Sequence, residues 1–334
     1  MKVLLTGGAG YIGSVTARAL ERSGHTTVLL DSLTAGARAF TRGRIFYQGD
    51  IADHALVRRI VTEHPDLAGC VHLAARTSVP ESVADPVTYY RENVAKSLEF
   101  LQELTAAGIH RVVFSSSAAV YGPTPHFEVR ETDPTVPASP YGRTKLMVEQ
   151  ILTDMAAAGA LRAVSLRYFN PVGSDPDLEC GVYTSAPSHV LGQLVRTALG
   201  DQPAFTLTGD DLPTSDGSGV RDYIHVWDVA RAHVRALEKF DGVTAAAPDG
   251  HLVLNVGTGT PVTVRELHAA VQRVSGREIP LTVAPARAGD VAGAYANVDR
   301  AAQVLDWRAA SSLDEAVASA LAWAQCRERV LAGN

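Results

Sequence analysis

Glycine recurs at positions 7, 10 and 13, directly after the apolar run Val3-Leu4-Leu5 and directly before a helical-period stretch, Ser14 to Ser23. No other feature restricts the fold of this chain as tightly. A strand has to end where the glycines begin, and a helix has to start where they stop. Gly7 permits a tight turn, Gly10 lets backbone approach a pyrophosphate, and Gly13 lets helix pack on strand. The N–H groups at the helix start then face whatever phosphate lies over the turn. A second apolar run, Thr27-Val28-Leu29-Leu30, closes on Asp31, 18 residues past Gly13. That is close to the spacing of an acid that bonds an adenosine ribose. A carboxylate there repels a 2′-phosphate, so the expected cofactor is NAD rather than NADP.

The alternation continues. Strands are expected at 45–47, 69–74, 111–114 and 162–167, with helices at 54–63, 86–107 and 141–155 between them. Strand–helix alternation of this kind predicts an α/β fold, a Rossmann-type doubly wound parallel sheet. Ligands of such sheets bind beyond the carboxyl ends of the strands. Thr6, Asp31, Ala74, Ser117 and Asn170 all fall at those ends. Past residue 170 the texture changes, with Asp, Pro, Gly and Ser crowding 171–188 and 208–221. Helices are expected there at 189–199, 228–238, 263–274 and 313–328, with strands at 205–208, 252–256 and 281–284. The expected division is a cofactor domain over 1–170 and a smaller mixed α/β substrate domain over 171–334. The stretch around 226–258 is expected to return to the first domain.

The totals exclude several function classes. The chain has 334 residues and a formal net charge of −6, without blocks of like charge. Nothing suggests a nucleic-acid partner or a membrane. Three widely spaced cysteines, Cys70, Cys180 and Cys326, point to a reducing compartment, and a cytoplasmic location is expected. The eleven histidines are dispersed, and no metal is expected.

A second constellation supplies chemistry. Ser115-Ser116-Ser117 closes the run Arg111 to Phe114, and Tyr141-Gly142-Arg143-Thr144-Lys145 opens a helix. Tyr141 and Lys145 are four apart and share one helix face. A hydroxyl, a phenol and an ammonium then meet where a strand end faces a helix start. A free phenol has a pKa near ~10 and is a poor base at neutral pH. A nearby cation is expected to lower it.

With these residues in view, the chain resembles the extended short-chain dehydrogenase/reductase superfamily, and most closely its UDP-glucose (UDP-galactose) 4-epimerases. The likeness runs through Thr6–Gly13, Ser115–Gly122, Ser139–Leu152, Leu166–Gly173, Gly219–Val226 and Arg287–Asp290. It implies that Tyr141 is the base, Lys145 its electrostatic partner and Ser117 a donor to the sugar O4. It implies NAD held by Gly7, Gly10, Tyr11, Ile12, Gly13, Asp31, Asp50, Ile51, Ala74, Asn93, Ser115 and Phe169, together with Tyr141 and Lys145. The nucleotide sugar would meet Ser117, Asn170, His189, Val190, Thr206, Arg221, Arg287 and Asp290. Arginine suits a pyrophosphate because its planar fork binds two oxygens at once. A homodimer through the helices at 86–107 and 141–155 is also implied.

Four positions depart from the family pattern. His189 stands where Asn is usual, and Thr208 replaces an aromatic that stacks on uracil. Ala119 replaces a common Thr. Ala294 takes the place of a Tyr or a smaller residue, and the small residue goes with room for a 2-N-acetyl group. A sugar-nucleotide 4,6-dehydratase shares the fold and the Tyr/Lys pair. It needs an Asp-Glu pair just after the Ser, where this chain has Ala118-Ala119. A non-catalytic NAD-binding regulator would lose Tyr or Lys, and both are present. An alcohol dehydrogenase with exchangeable NAD stays open.

Overall fold

The computed structural model describes residues 1–124, 126–285 and 292–333. Its centre is a seven-stranded, all-parallel sheet. The strands are β1 (Lys2–Thr6), β2 (Thr26–Asp31), β3 (Ile45–Gln48), β4 (Leu67–His72), β5 (Arg111–Ser117), β6 (Arg162–Tyr168) and β7 (His251–Val256). Their order across the sheet is β7-β6-β5-β4-β1-β2-β3. The order reverses at β1/β4, and the crevice there opens at the carboxyl ends of the strands.

Strand side chains alternate between faces, and the core divides accordingly. Val3 and Leu5 of β1 pack with Val15 and Leu20 of α1 (Tyr11–Arg22) and Val229 and Val234 of the helix Val226–Glu238. Leu4, between them, packs on the opposite face with Val57 and Ile60 of α2 (His54–Glu63) and Phe100 and Leu104 of α3 (Lys96–Ala106). Val112, Phe114 and Ala163 face Val148 and Leu152 of α4 (Pro140–Ala157). Both faces are covered, so the strands read as continuous apolar runs.

The helix expected over 86–107 is interrupted. Pro86–Tyr90 and α3 are joined by a π-helical turn, Arg91–Ala95. Asn93 lies in that turn. Its side chain accepts from Arg76 N (2.8 Å) and donates to Arg76 O (2.9 Å) and Thr144 Oγ1 (3.1 Å). The π-turn widens the ladder by one residue and aims this amide at both neighbours.

The remaining elements form a second apolar cluster. Leu191 and Leu194 of α5 (Val190–Leu199), Leu267 and Val271 of α6 (Val264–Ser275), and Ala316 and Val317 of α7 (Leu313–Ala332) are buried together. Short strands, unexpected from sequence, lie along it. Asn170–Val172 pairs with Tyr223–His225, and Val220–Arg221 sits between Val262–Thr263 and Gly293–Ala296. Two to four residues give too little periodicity to read. The helices Val79–Ala84, Phe240–Ala245 and Asp299–Leu305 were likewise too short to anticipate. Among the described residues no helix is long and apolar enough to cross a membrane, and no His/Cys/Asp/Glu group could hold a metal ion.

Candidate active site

The glycine turn is built as its spacing requires. Gly7 has φ +69°, in the left-handed region, and a Cβ there would lie 2.8 Å from Ala74 N. No side chain caps α1, whose Ncap is Gly10, so the first N–H groups of the helix remain available to an anion. Ala74 N donates to Thr6 Oγ1 at 3.3 Å, which draws the end of β4 against the turn. Buried Asp31 accepts from Ala9 N (2.9 Å) through one oxygen and Leu33 N (2.8 Å) through the other. Each oxygen keeps a lone pair for a ribose hydroxyl. A cradle closed to any added Cβ, an uncapped helix start and a fixed carboxylate together fit a dinucleotide.

Further along the crevice the expected residues differ in what occupies them. Asp50 accepts from Lys96 Nζ (2.6 Å) and Ala52 N (2.9 Å), a salt bridge the sequence did not suggest. Ile51 is buried beside Val57 and Ile60. Tyr11 and Ile12 are half-buried, and the Tyr11 hydroxyl crosses to Gly173 O at 2.7 Å. Asn93 is a brace between Arg76 and Thr144, as described.

Beside the glycine turn stand the end of β5 and the start of α4. Ser139 caps α4, accepting from Gly142 N at 3.2 Å, and Pro140 occupies the first turn, where a missing N–H costs nothing. Lys145, buried, donates to Ser115 O at 2.6 Å. Its ammonium lies 4.9 Å from the Phe114 ring centre and 6.0 Å from that of Tyr141. The Ser117 hydroxyl accepts from Ala119 N at 3.1 Å and lies near enough to the Tyr141 phenol to favour its ionised form.

The electrostatics correct one expectation. Burial holds the Tyr141 phenol above its ordinary value, and the Ser117 hydroxyl only partly opposes this. The expected lowering by Lys145 does not prevail, because desolvation disfavours the phenolate more than its neighbours favour it. Burial also pushes Lys145 down to about 7, with Glu149 working in the other direction.

Phe169, Leu146 and Ala294 each pack against the buried cluster of Val120, Tyr121 and Val129. Asn170 opens a short strand, its N–H donating to Asp222 O at 3.0 Å. Arg221 lies opposite Ala294 in register and donates to Val220 O at 2.7 Å. Among the described residues it meets no carboxylate within ion-pair distance. His189 caps α5, accepting from Gly192 N at 3.1 Å, with Val190 next in line. Thr206 stands on the exposed face of its strand, 3.2 Å from Thr282 Oγ1, while Phe205 and Leu207 face the core. Arg287 and Asp290 lie outside the described residues.

Two buried groups were missed. Asp222 accepts from Thr258 N, Thr258 Oγ1, Gly259 N and Ala296 N, tying the Arg221 strand to the Ala294 strand. Glu149 and Arg167 form an ion pair behind the three serines. A titratable residue recurring every fourth position, at Tyr141, Lys145 and Glu149, was the available signal.

A glycine turn over the reversal point of a parallel sheet, with serine, tyrosine and lysine converging beside it, defines a dinucleotide-binding enzyme of the short-chain dehydrogenase/reductase type. Residues 3–257 match the NAD dependent epimerase/dehydratase family, and the chain belongs to that family. It is 42% identical to the UDP-glucose 4-epimerase of Azospirillum brasilense, over 98% of this chain and 93% of that one. Among solved structures it is similar to the UDP-glucose 4-epimerase of Stenotrophomonas maltophila with bound NAD and formylated UDP-arabinopyranose. That match has TM-score 0.92 and 39% identity, and covers 98% and 99% of the two chains. It is also similar to the Bifidobacterium longum enzyme in complex with NAD+ and UDP, at TM-score 0.90 and 34% identity, covering 97% and 98%.

Proposed function

We propose that this chain is an NAD-dependent epimerase that inverts C4 of a UDP-hexose through a transient 4-keto sugar. The observation that carries the reading is the convergence of Ser117, Tyr141 and Lys145 beside the glycine cradle, with Ala118 and Ala119 where a dehydratase needs its acid and base. When bound, oxidised NAD supplies a hydride acceptor at C4 and a positive charge that favours the Tyr141 phenolate. Tyr141 takes the C4 hydroxyl proton and later returns it to the other configuration. Lys145, one helix turn along, adds positive charge beside the phenolate, and Ser117 donates to the C4 oxygen in both directions. Arg221, from across the crevice, grips the pyrophosphate while the hexose turns over.

Ala294 sits in one apolar cluster with Phe169 and Leu146, and its small side chain leaves room beside the sugar. This supports acceptance of UDP-GlcNAc and UDP-GalNAc alongside UDP-Glc and UDP-Gal. A homodimer is part of the proposal, through Val83, Val87, Leu98 and Met147. These residues are 63%, 64%, 45% and 39% exposed, on helices that pack against one another. Three free cysteines suit a cytoplasmic setting.

The test is incubation with a panel of nucleotide sugars, followed by NMR of the product. Inversion at C4 without a 4-keto-6-deoxy sugar is the expected result. Accumulation of that deoxy sugar, or no turnover of any UDP-hexose, overturns the reading.

A further inference from the structure

The three serines that close β5 face three residues on a single side of α4. Ser117 lies near enough to the Tyr141 phenol to favour its ionised form, the Ser115 carbonyl accepts from Lys145 Nζ, and Ser116 Oγ donates to Glu149 Oε1. Tyr141, Lys145 and Glu149 are spaced four apart, so they stack along the helix. Glu149 is only 4% exposed, and Arg167 of β6, also 4% exposed, holds it bidentately. Arg167 Nε lies 2.9 Å from Oε1 and Nη2 2.6 Å from Oε2. The third nitrogen donates to Tyr121 Oη at 2.8 Å, and that hydroxyl donates to Asn255 Oδ1 at 2.7 Å.

A buried ion pair is no gift to stability, since apolar residues of the same size often serve as well or better. We propose that Glu149 and Arg167 are positioning residues that set the charge of Lys145, and through it the proton affinity of Tyr141. This rests on the reading of Tyr141 as the base that exchanges a proton with the sugar.

The surroundings of Lys145 favour such control. From α4 it faces Tyr141 on one side and Glu149 on the other. Among the described residues it meets from β5 the Ser115 carbonyl and the Phe114 ring, and its charge reaches the neutral imidazole of His72 on β4. Among the described residues no carboxylate touches it, so Glu149, one turn away, is the anion it feels. The groups facing the pair are Ser116 from β5, Tyr121, His251 from β7 and, through Asn255 N, Glu131. With burial placing Lys145 near 7, a modest change in the field of Glu149 decides whether the ammonium persists at neutral pH. Arg167 weakens that field without touching Lys145.

The test is the pH dependence of kcat/KM for C4 inversion by the NAD-loaded enzyme. Its alkaline limb reports loss of the Lys145 proton. In Glu149→Gln the anion is gone and Arg167 is unpaired, so the limb moves to lower pH, by about one unit. In Arg167→Gln the anion is unshielded, and the limb moves to higher pH by about the same amount. Both variants break the same ion pair, so structural damage alone does not drive them in opposite directions. Limbs that coincide with wild type, or move the same way, overturn the proposal. If either single variant proves unfolded by circular dichroism, E149Q/R167Q decides, because neither charge is left buried alone. Its limb falls below that of wild type, since the lost anion is the nearer charge, and an unmoved limb overturns the proposal. Absence of C4 inversion in the wild-type protein would instead defeat the functional reading beneath it.

Discussion

A Cβ atom on Gly13 would lie 2.0 Å from the carbonyl oxygen of Gly7. No flexible side chain stands between them, so only backbone can give way, and that backbone is the cradle itself. Gly13→Ala therefore displaces the turn and is expected to purify without NAD. Absorbance and extraction of bound nucleotide check this. Stoichiometric NAD in the variant would show that the turn is not the binding site.

Tyr141→Phe removes one hydroxyl and leaves the ring packing intact. A positioned general base contributes about 10²–10⁴-fold, so turnover falls by that order while the melting temperature stays near wild type. The paired measurement distinguishes lost chemistry from lost folding. Unchanged C4 inversion in the variant would remove Tyr141 from the reaction.

Ala294→Tyr fills space beside Phe169 and Leu146. The N-acetylated sugars lose kcat/KM by at least ~10-fold relative to UDP-glucose, the scale at which a pocket discriminates by size. Competition between paired substrates reads the ratio directly.

Asp222→Ala deprives three N–H groups and one hydroxyl of their acceptor. Unsatisfied buried donors cost about 1–3 kcal/mol each where water does not replace the lost partner. A loss of about 3 kcal/mol or more in urea unfolding is expected. Asp222→Asn, which keeps an acceptor oxygen, loses less.

Stability is expected to fall in mild acid. Burial lowers His72 to about 3, and His233 and His251 to about 4, from an ordinary 6.5. The folded state holds these rings neutral, so the unfolded chain binds more protons between pH 6.5 and about 4. Their contribution is fully present above 6.5 and is lost as pH falls through that window. Each proton accounts for up to about 1.4 kcal/mol per pH unit. Urea unfolding at a series of pH values measures the slope. His251→Gln, which keeps partners for Thr153 and Ser165, makes it shallower.

The sheet was legible because both of its faces are covered. Burial on two sides favours apolar runs, and Val3–Leu5 and Thr27–Leu30 were read from such runs, with Arg162–Arg167 placed by the strand–helix alternation. Gly7, Gly13 and Asp31 were legible because backbone sterics and a charge at a fixed distance have few substitutes. Tyr141 and Lys145 were legible because helical periodicity converts spacing into adjacency. The two-residue strands around Arg221 carry no such period. The π-turn at Asn93 depends on partners 17 and 51 residues away.

The sequence by itself determined the parallel sheet, the glycine turn at its reversal point and the stacking of Tyr141 and Lys145 on one helix face, since these follow from local periodicity and sterics. Tertiary structure alone decided their charge. Burial lifts the Tyr141 phenol and lowers Lys145 toward neutrality, and Glu149 is set against Arg167 from another strand. A proton's affinity depends on how much water the fold removes and which distant charges it brings near, and neither is written in any one stretch of chain.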